Sequence, residues 1–166
     1  QVGHVPTDDT YVNASSPATT YGKATRIRTD ASPALYGFLR FDLGGAPGAT
    51  TAALEFRAES SSNTGFAIRS VANAAWTETT LTWNNAPALG AVVANTGPLV
   101  AGKTYLVNVS SAVSNDADGV IALAFVTPSN TAIAVTSREG SQPPELKVPA
   151  PLAPTAFSIT RQPTQY

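Results

Sequence analysis

Cysteine and methionine are both missing from this chain, and histidine occurs once, at His4. Without thiols there is no disulfide, no thiolate metal ligand and no cysteine nucleophile. His4 lies beside a terminus expected to be mobile, which leaves a serine nucleophile without a positioned base. Charge is scarce too: Asp, Glu, Lys and Arg make up 13% of residues and the formal net charge is −1. That balance argues against nucleic acid and against an anionic membrane as the main partner. No apolar run approaches the ~20 residues that cross a bilayer as a helix. Gly-x-Ser-x-Gly elbows, His-Glu-x-x-His zinc motifs and phosphate-cradling glycine loops are absent. Two carboxylates can always converge in space, as glycosidases require, but no pair stands out. The expectation is a protein that is not an enzyme and has no cofactor.

What is present points outside the cell. Ser and Thr are abundant, prolines number 13, and the chain begins with Gln1 rather than Met. These features read as a secreted, processed chain. Asn13-Ala14-Ser15 and Asn108-Val109-Ser110 are glycosylation sequons. At 166 residues the chain accommodates one domain and an appendage.

Short strand patterns recur along the chain, separated by turn signals, at 10–12, 25–29, 35–43, 53–59, 65–71, 80–83, 92–95, 105–109, 120–126, 133–137 and 145–148. This spacing predicts an all-β sandwich or barrel. Alternation is cleanest at Leu54-Glu55-Phe56-Arg57, with Leu54 and Phe56 inward. Residues 120–126 are apolar on both faces, as in a central strand covered on both sides. Turns are expected at 44–48, 60–64 and 115–119, and one helical turn at 110–115 with Ser110 as its cap. No repeat of 20–50 residues suggests a solenoid or propeller.

The domain is expected over 1–148, followed by a proline-rich hinge at 149–154 and a tail at 155–166. In the tail, Phe157 and Ile159 stand two apart, so a strand there presents both on one face. Such a strand needs a sheet edge or groove in its own domain or in a neighbouring copy.

Several motifs follow in order: Asp9-Thr10-Tyr11-Val12, Tyr21-Gly22-Lys23-Ala24-Thr25, Leu39-Arg40-Phe41-Asp42-Leu43, the run from Trp76-Thr77-Glu78 to Trp83-Asn84-Asn85-Ala86-Pro87, Val109-Ser110-Ser111-Ala112-Val113, Ser137-Arg138-Glu139 and Pro144-Glu145-Leu146-Lys147-Val148. On these the chain, from Asp9 to Val148, resembles the DNRLRE-type domains, which overlap carbohydrate-binding module family 96. The resemblance implies an antiparallel β-sandwich of jelly-roll type, found beside polysaccharide-degrading enzymes and in surface proteins. It also implies alginate binding, an activity attributed to some members.

Arg26 and Arg28 are two apart and share a strand face, while Ile27 points the other way. Paired guanidiniums suit the bidentate grip of uronate carboxylates, although a solvated face paired with Asp30, Asp42 or Glu55 is the plainer reading. Arg40 and Arg57 extend the patch if their strands are neighbours. Trp76 and Trp83 offer flat faces for sugars but read better as core or loop anchors. Tyr36 is the tyrosine expected to be most exposed, and with Arg26, Arg28 and Arg40 it completes the candidate carbohydrate-binding set. Arg138 and Glu139 read as a half-buried structural pair. Asp8, Asp9 and Asn13 offer the oxygen ligands calcium takes, but EF-hand spacing is missing and no metal site is assigned.

Two functions compete. One is an extracellular structural subunit whose Phe157/Ile159 strand inserts into a neighbouring copy, building a head-to-tail filament. The other is a carbohydrate-binding module for acidic, alginate-like polysaccharide. The sequence favours the first, because the tail needs a docking site.

Overall fold

The computed structural model describes residues 1–44, 49–114 and 116–150. Most of the hinge, and the tail with Phe157 and Ile159, lie outside the described residues, as do residues 45–48 and Asn115 of two expected turns.

Among the described residues eleven strands follow one another: β1 (Val2–His4), β2 (Asp8–Asn13), β3 (Arg26–Ala31), β4 (Ala34–Asp42), β5 (Ala53–Arg57), β6 (Ala67–Val71), β7 (Val92–Asn95), β8 (Thr104–Asn108), β9 (Val120–Val126), β10 (Ile133–Thr136) and β11 (Glu145–Val148). They form two sheets. The smaller has the order β1-β11-β5-β8, the larger β10-β3-β4-β9-β6-β7, with β2 paired along β4. Every pairing between these strands is antiparallel. The all-β sandwich is thus the observed architecture.

The side-chain period of two decides what each sheet buries. Leu39 and Phe41 of β4, Leu54 and Phe56 of β5, Leu123 and Phe125 of β9, and Leu146 of β11 meet between the sheets. Phe56, Phe66 and Phe125 pack ring to ring at 4.4–6.2 Å. Each such side chain stabilises the fold by ~1.5–3 kcal/mol through burial. Gly37 of β4 faces the same interior, where an added Cβ would come within 2.6 Å of Ile27 Cγ2. Only glycine lets β3 pass that close.

The outer face of the larger sheet is apolar as well. Val12, Phe38, Val71, Leu81, Ala122 and Ala124 form a second core there, covered by Trp76, Trp83 and Leu89. The 72–91 connection therefore acts as a lid over the sheet. This explains β9, whose Leu123 and Phe125 face one core while Ala122 and Ala124 face the other. It also explains why 80–83 is not a strand. Thr80 and Leu81 donate to the carbonyl of Thr77, while Asn85 accepts from the Thr82 amide at 2.7 Å and donates to the Thr80 carbonyl at 2.9 Å. Backbone groups satisfied locally need no ladder, and the segment runs into a 3-10 turn, Trp83–Asn85. Both tryptophans anchor the lid, as expected.

The ends of other elements also differ from expectation. His4, expected to be mobile, pairs with Leu146 in β1. The helical turn forms as α1 (Ser110–Ser114), but the Ser110 hydroxyl bonds Ala52 instead of capping it. Asn108 accepts the Ser110 amide at 2.9 Å.

One side of the sandwich is stitched shut. Beyond β5, Ala58 bridges to Val135 of β10, and the Glu59 amide donates to the Ala134 carbonyl at 2.8 Å. Strand β10 thus joins the larger sheet to the chain leaving the smaller one.

Candidate functional site

At that seam the structure gathers basic side chains. In β3, exposed Arg26 and Arg28 alternate with buried Ile27 and Thr29, as the spacing predicted. Arg26, with 53% of its side chain exposed, lies 3.9 Å from Glu59. Arg57 of β5 reaches the same carboxylate at 3.4 Å, and Thr136 donates its hydroxyl to it at 2.6 Å. Lys103, exposed, follows one residue along, since its carbonyl accepts the Ala58 amide. Arg26 and Arg57 thus share one carboxylate at the seam, with Arg28 two residues along β3 and Lys103 beside Ala58, while Arg57 also borders a hollow lined by Glu55 and Glu145.

Tyr11 and Tyr21 stack at 4.3 Å near one end of this strip. Burial raises the Tyr11 phenol above its ordinary range, while the nearby Arg28 charge works against that rise. Arg57 comes near Arg26 because Ala58, the next residue, bridges to Val135 of β10 and β10 pairs with β3, and Lys103 lies beside Ala58. Sequence anticipated Arg57 only conditionally and Lys103 not at all.

Arg40 and Tyr36 do not join the strip. Arg40 donates from Nε to the Ala74 carbonyl at 2.7 Å and from Nη1 to Thr7 Oγ1 at 2.8 Å. Its Nη1 also stands 3.6 Å from Asp8. These contacts make it a brace for the lid. Tyr36 is half-buried against Trp83, ring centroids 5.0 Å apart. Arg40 does border an open cleft of about 760 Å³ beside α1, together with Asn73, Asp116 and Asp118. Those two carboxylates make the cleft a poor seat for an acidic glycan.

The sequons sit at strand ends. Asn13 accepts the Ser15 amide and donates to the Tyr21 hydroxyl at 3.4 Å. Asn108 is exposed.

A second group of charges forms where the motifs converge. Arg138 grips Glu78 through Nε at 3.1 and 3.2 Å and Nη2 at 2.9 Å, and Glu139 through Nε at 3.0 Å. Burial works against the Arg138 charge, yet Glu78 and Glu139 raise its pKa further. Glu78 also accepts the Asp9 amide at 3.0 Å, and Asp8 accepts the Glu78 amide at 3.1 Å. Asp9 Oδ2 accepts the Arg138 amide at 2.7 Å, and Ser137 donates to the Ala24 carbonyl at 2.6 Å. Gly22 lies against the backbone of Glu78, so closely that a side chain there would collide with it. Burial pushes the Asp9 carboxyl up to about 8, the Arg138 amide opposes that, and the Glu139 and Glu78 charges add to it.

The expected structural pair, Arg138–Glu139, is thus part of a larger clasp. The oxygen set considered for calcium is split. Asp8 turns to Arg40, Asp9 turns inward beside Leu39 of β4, and Asn13 serves the next turn.

Residues from four separate motifs build this one clasp, so the signature has a structural meaning. The sequence model of carbohydrate-binding module family 96 matches residues 1–150. No curated protein matches the chain. With the match spanning the whole sandwich and its signature residues meeting at one clasp, the chain belongs to carbohydrate-binding module family 96.

Proposed function

We propose that this chain is a non-enzymatic, extracellular module that binds an acidic polysaccharide through Arg28, Arg26, Arg57 and Lys103. The observation that carries the reading is the loose pairing at the seam, where Glu59 stands 3.9 Å from Arg26 and 3.4 Å from Arg57 and leaves the Arg26 side chain 53% exposed. A guanidinium directed to solvent is free to take a uronate carboxylate in two parallel hydrogen bonds. Membership of a carbohydrate-binding family supports the ligand class.

The test is retention of the full chain on immobilised polyuronate, such as alginate, beside a neutral glucan, at rising salt. Retention on the polyuronate alone, weakening as ions screen the strip, is expected. Replacing Arg26 and Arg28 together by alanine removes two charge-assisted contacts worth ~1.5–3 kcal/mol each, a loss of about 100-fold or more. Unchanged affinity in that double variant would defeat the proposal. Equal retention on the neutral glucan would move the site to the cleft beside α1. Head-to-tail assembly through Phe157 and Ile159 depends on residues outside those described, and no feature of the described residues favours it.

A further inference from the structure

We infer that Asp9, Glu78 and Glu139 form a binding site for one divalent cation of the calcium type, where β2, the 72–91 lid and the turn after β10 meet. One carboxylate oxygen from each lies within 4.8 Å of the other two. Calcium takes oxygen ligands at ~2.3–2.6 Å, so oxygens on opposite sides of one ion stand ~4.6–5.2 Å apart. Magnesium demands near-octahedral geometry at ~2.0–2.1 Å and dehydrates reluctantly, so a site built from protein carboxylates suits it less. The cluster offers neither imidazole nor thiolate, the ligands on which structural zinc sites are built.

A second observation points to an ion. Asp9 is 1% exposed, and its Oδ1 meets no hydrogen-bond donor among the described residues. The remaining oxygens are occupied. Asp9 Oδ2 takes the Arg138 amide, Glu78 takes Arg138 and the Asp9 amide, and Glu139 takes Arg138 and the Ser137 hydroxyl. Glu78 and Glu139 thus share the one guanidinium, Asp9 meets only the Arg138 backbone amide, and the one oxygen left over is buried. A buried carboxylate oxygen calls for a donor or a cation. Glu139, whose side chain is 24% exposed, gives the ion a way in from solvent. Bound there, the ion would tie together three stretches of chain far apart in sequence.

The full chain, stripped with chelator, is titrated with calcium and with magnesium by calorimetry and by thermal melting. One calcium per chain is expected. The melting temperature should rise on the order of 5–10 °C when calcium is about a hundredfold above its dissociation constant. Magnesium should give a smaller rise. Glu139→Gln removes the outermost ligand charge, leaves the Arg138–Glu78 contact, and should weaken calcium at least tenfold. Asp9→Asn supplies an N–H beside Glu139, so it should melt above the wild type in chelator and ignore calcium. Should that variant fail to fold, Glu139→Gln decides. Absence of calcium binding to the wild type at millimolar concentration overturns the inference, because a proton then suffices for Asp9. A calcium-induced rise that survives intact in Glu139→Gln overturns it too, placing the ion elsewhere, for instance at Asp116 and Asp118.

Discussion

The clasp around Arg138 and the strip around Arg26 are both crowded with charge, yet they have opposite balances. The clasp sets Asp8, Asp9, Glu78 and Glu139 against Arg40 and Arg138, and nearly every group also grips a backbone amide or carbonyl. The strip sets Arg26, Arg28, Arg57 and Lys103 against Glu59, with contacts to that carboxylate of 3.4 and 3.9 Å from Arg57 and Arg26. Charges that hold backbone atoms over long sequence distances fix the chain. Charges left with slack pairing at the surface add little stability and are free to meet a partner. Side-chain type alone does not separate the two roles, since arginine serves in both.

The largest expected effect breaks the clasp. Arg138→Ala strands Glu78, only 8% exposed, without its cation. Breaking a buried pair costs ~3–5 kcal/mol, and partial exposure of Arg138 places this variant near about 3 kcal/mol. Urea denaturation should show that loss, while polyuronate binding measured well below the transition stays within about twofold. A loss of binding larger than the loss of stability would mean the two regions are not separate.

The Arg26/Arg28 double variant is the mirror image. Its affinity for polyuronate should fall by about 100-fold with the urea midpoint nearly unchanged, because exposed ion pairs contribute only ~0–1 kcal/mol. Glu59→Gln sharpens the contrast further. It removes the carboxylate that Arg26 and Arg57 share, while the amide oxygen can still accept from Thr136. Affinity should rise by about fivefold at low salt, the scale of ~1 kcal/mol for charges ~4 Å apart in water. Tighter binding at low salt that fades at high salt would confirm the electrostatic origin, and weaker binding would show that Glu59 itself touches the ligand. The smallest effect is expected at Lys147, which meets Glu55 at 2.9 Å on the outer face of the smaller sheet. Lys147→Ala should leave the urea midpoint nearly unchanged and polyuronate binding unaltered.

Local periodicity made part of this legible from the amino acids. Leu54 and Phe56 point inward, β9 is covered on both faces, and Arg26 and Arg28 share a side, because these depend only on neighbours in the chain. The helical turn at Ser110 was legible for the same reason. What stayed hidden depends on pairing between distant segments. Val2–His4 is too short to show alternation and becomes a strand only because β11 receives it. Residues 80–83 carry strand-like residues, yet Leu81 and the tryptophans are drawn onto an apolar sheet surface that no local pattern reveals. Lys103 comes beside Ala58 only because its carbonyl accepts that residue's amide, and Glu78 meets Asp9 across 69 positions of sequence. The motifs were visible one by one, while their convergence was a property of topology.

The stitch between Ala58 and Val135 gives the strip a mechanical character. Arg26 and Arg28 belong to the larger sheet, and Arg57 to the smaller. A polymer lying across all three would be anchored to both sheets at once. Tension along that polymer would then be divided between two ladders of hydrogen bonds instead of peeling a single strand from its edge. A module placed between a glycan and a moving load would resist detachment in shear better than a site built on either sheet alone.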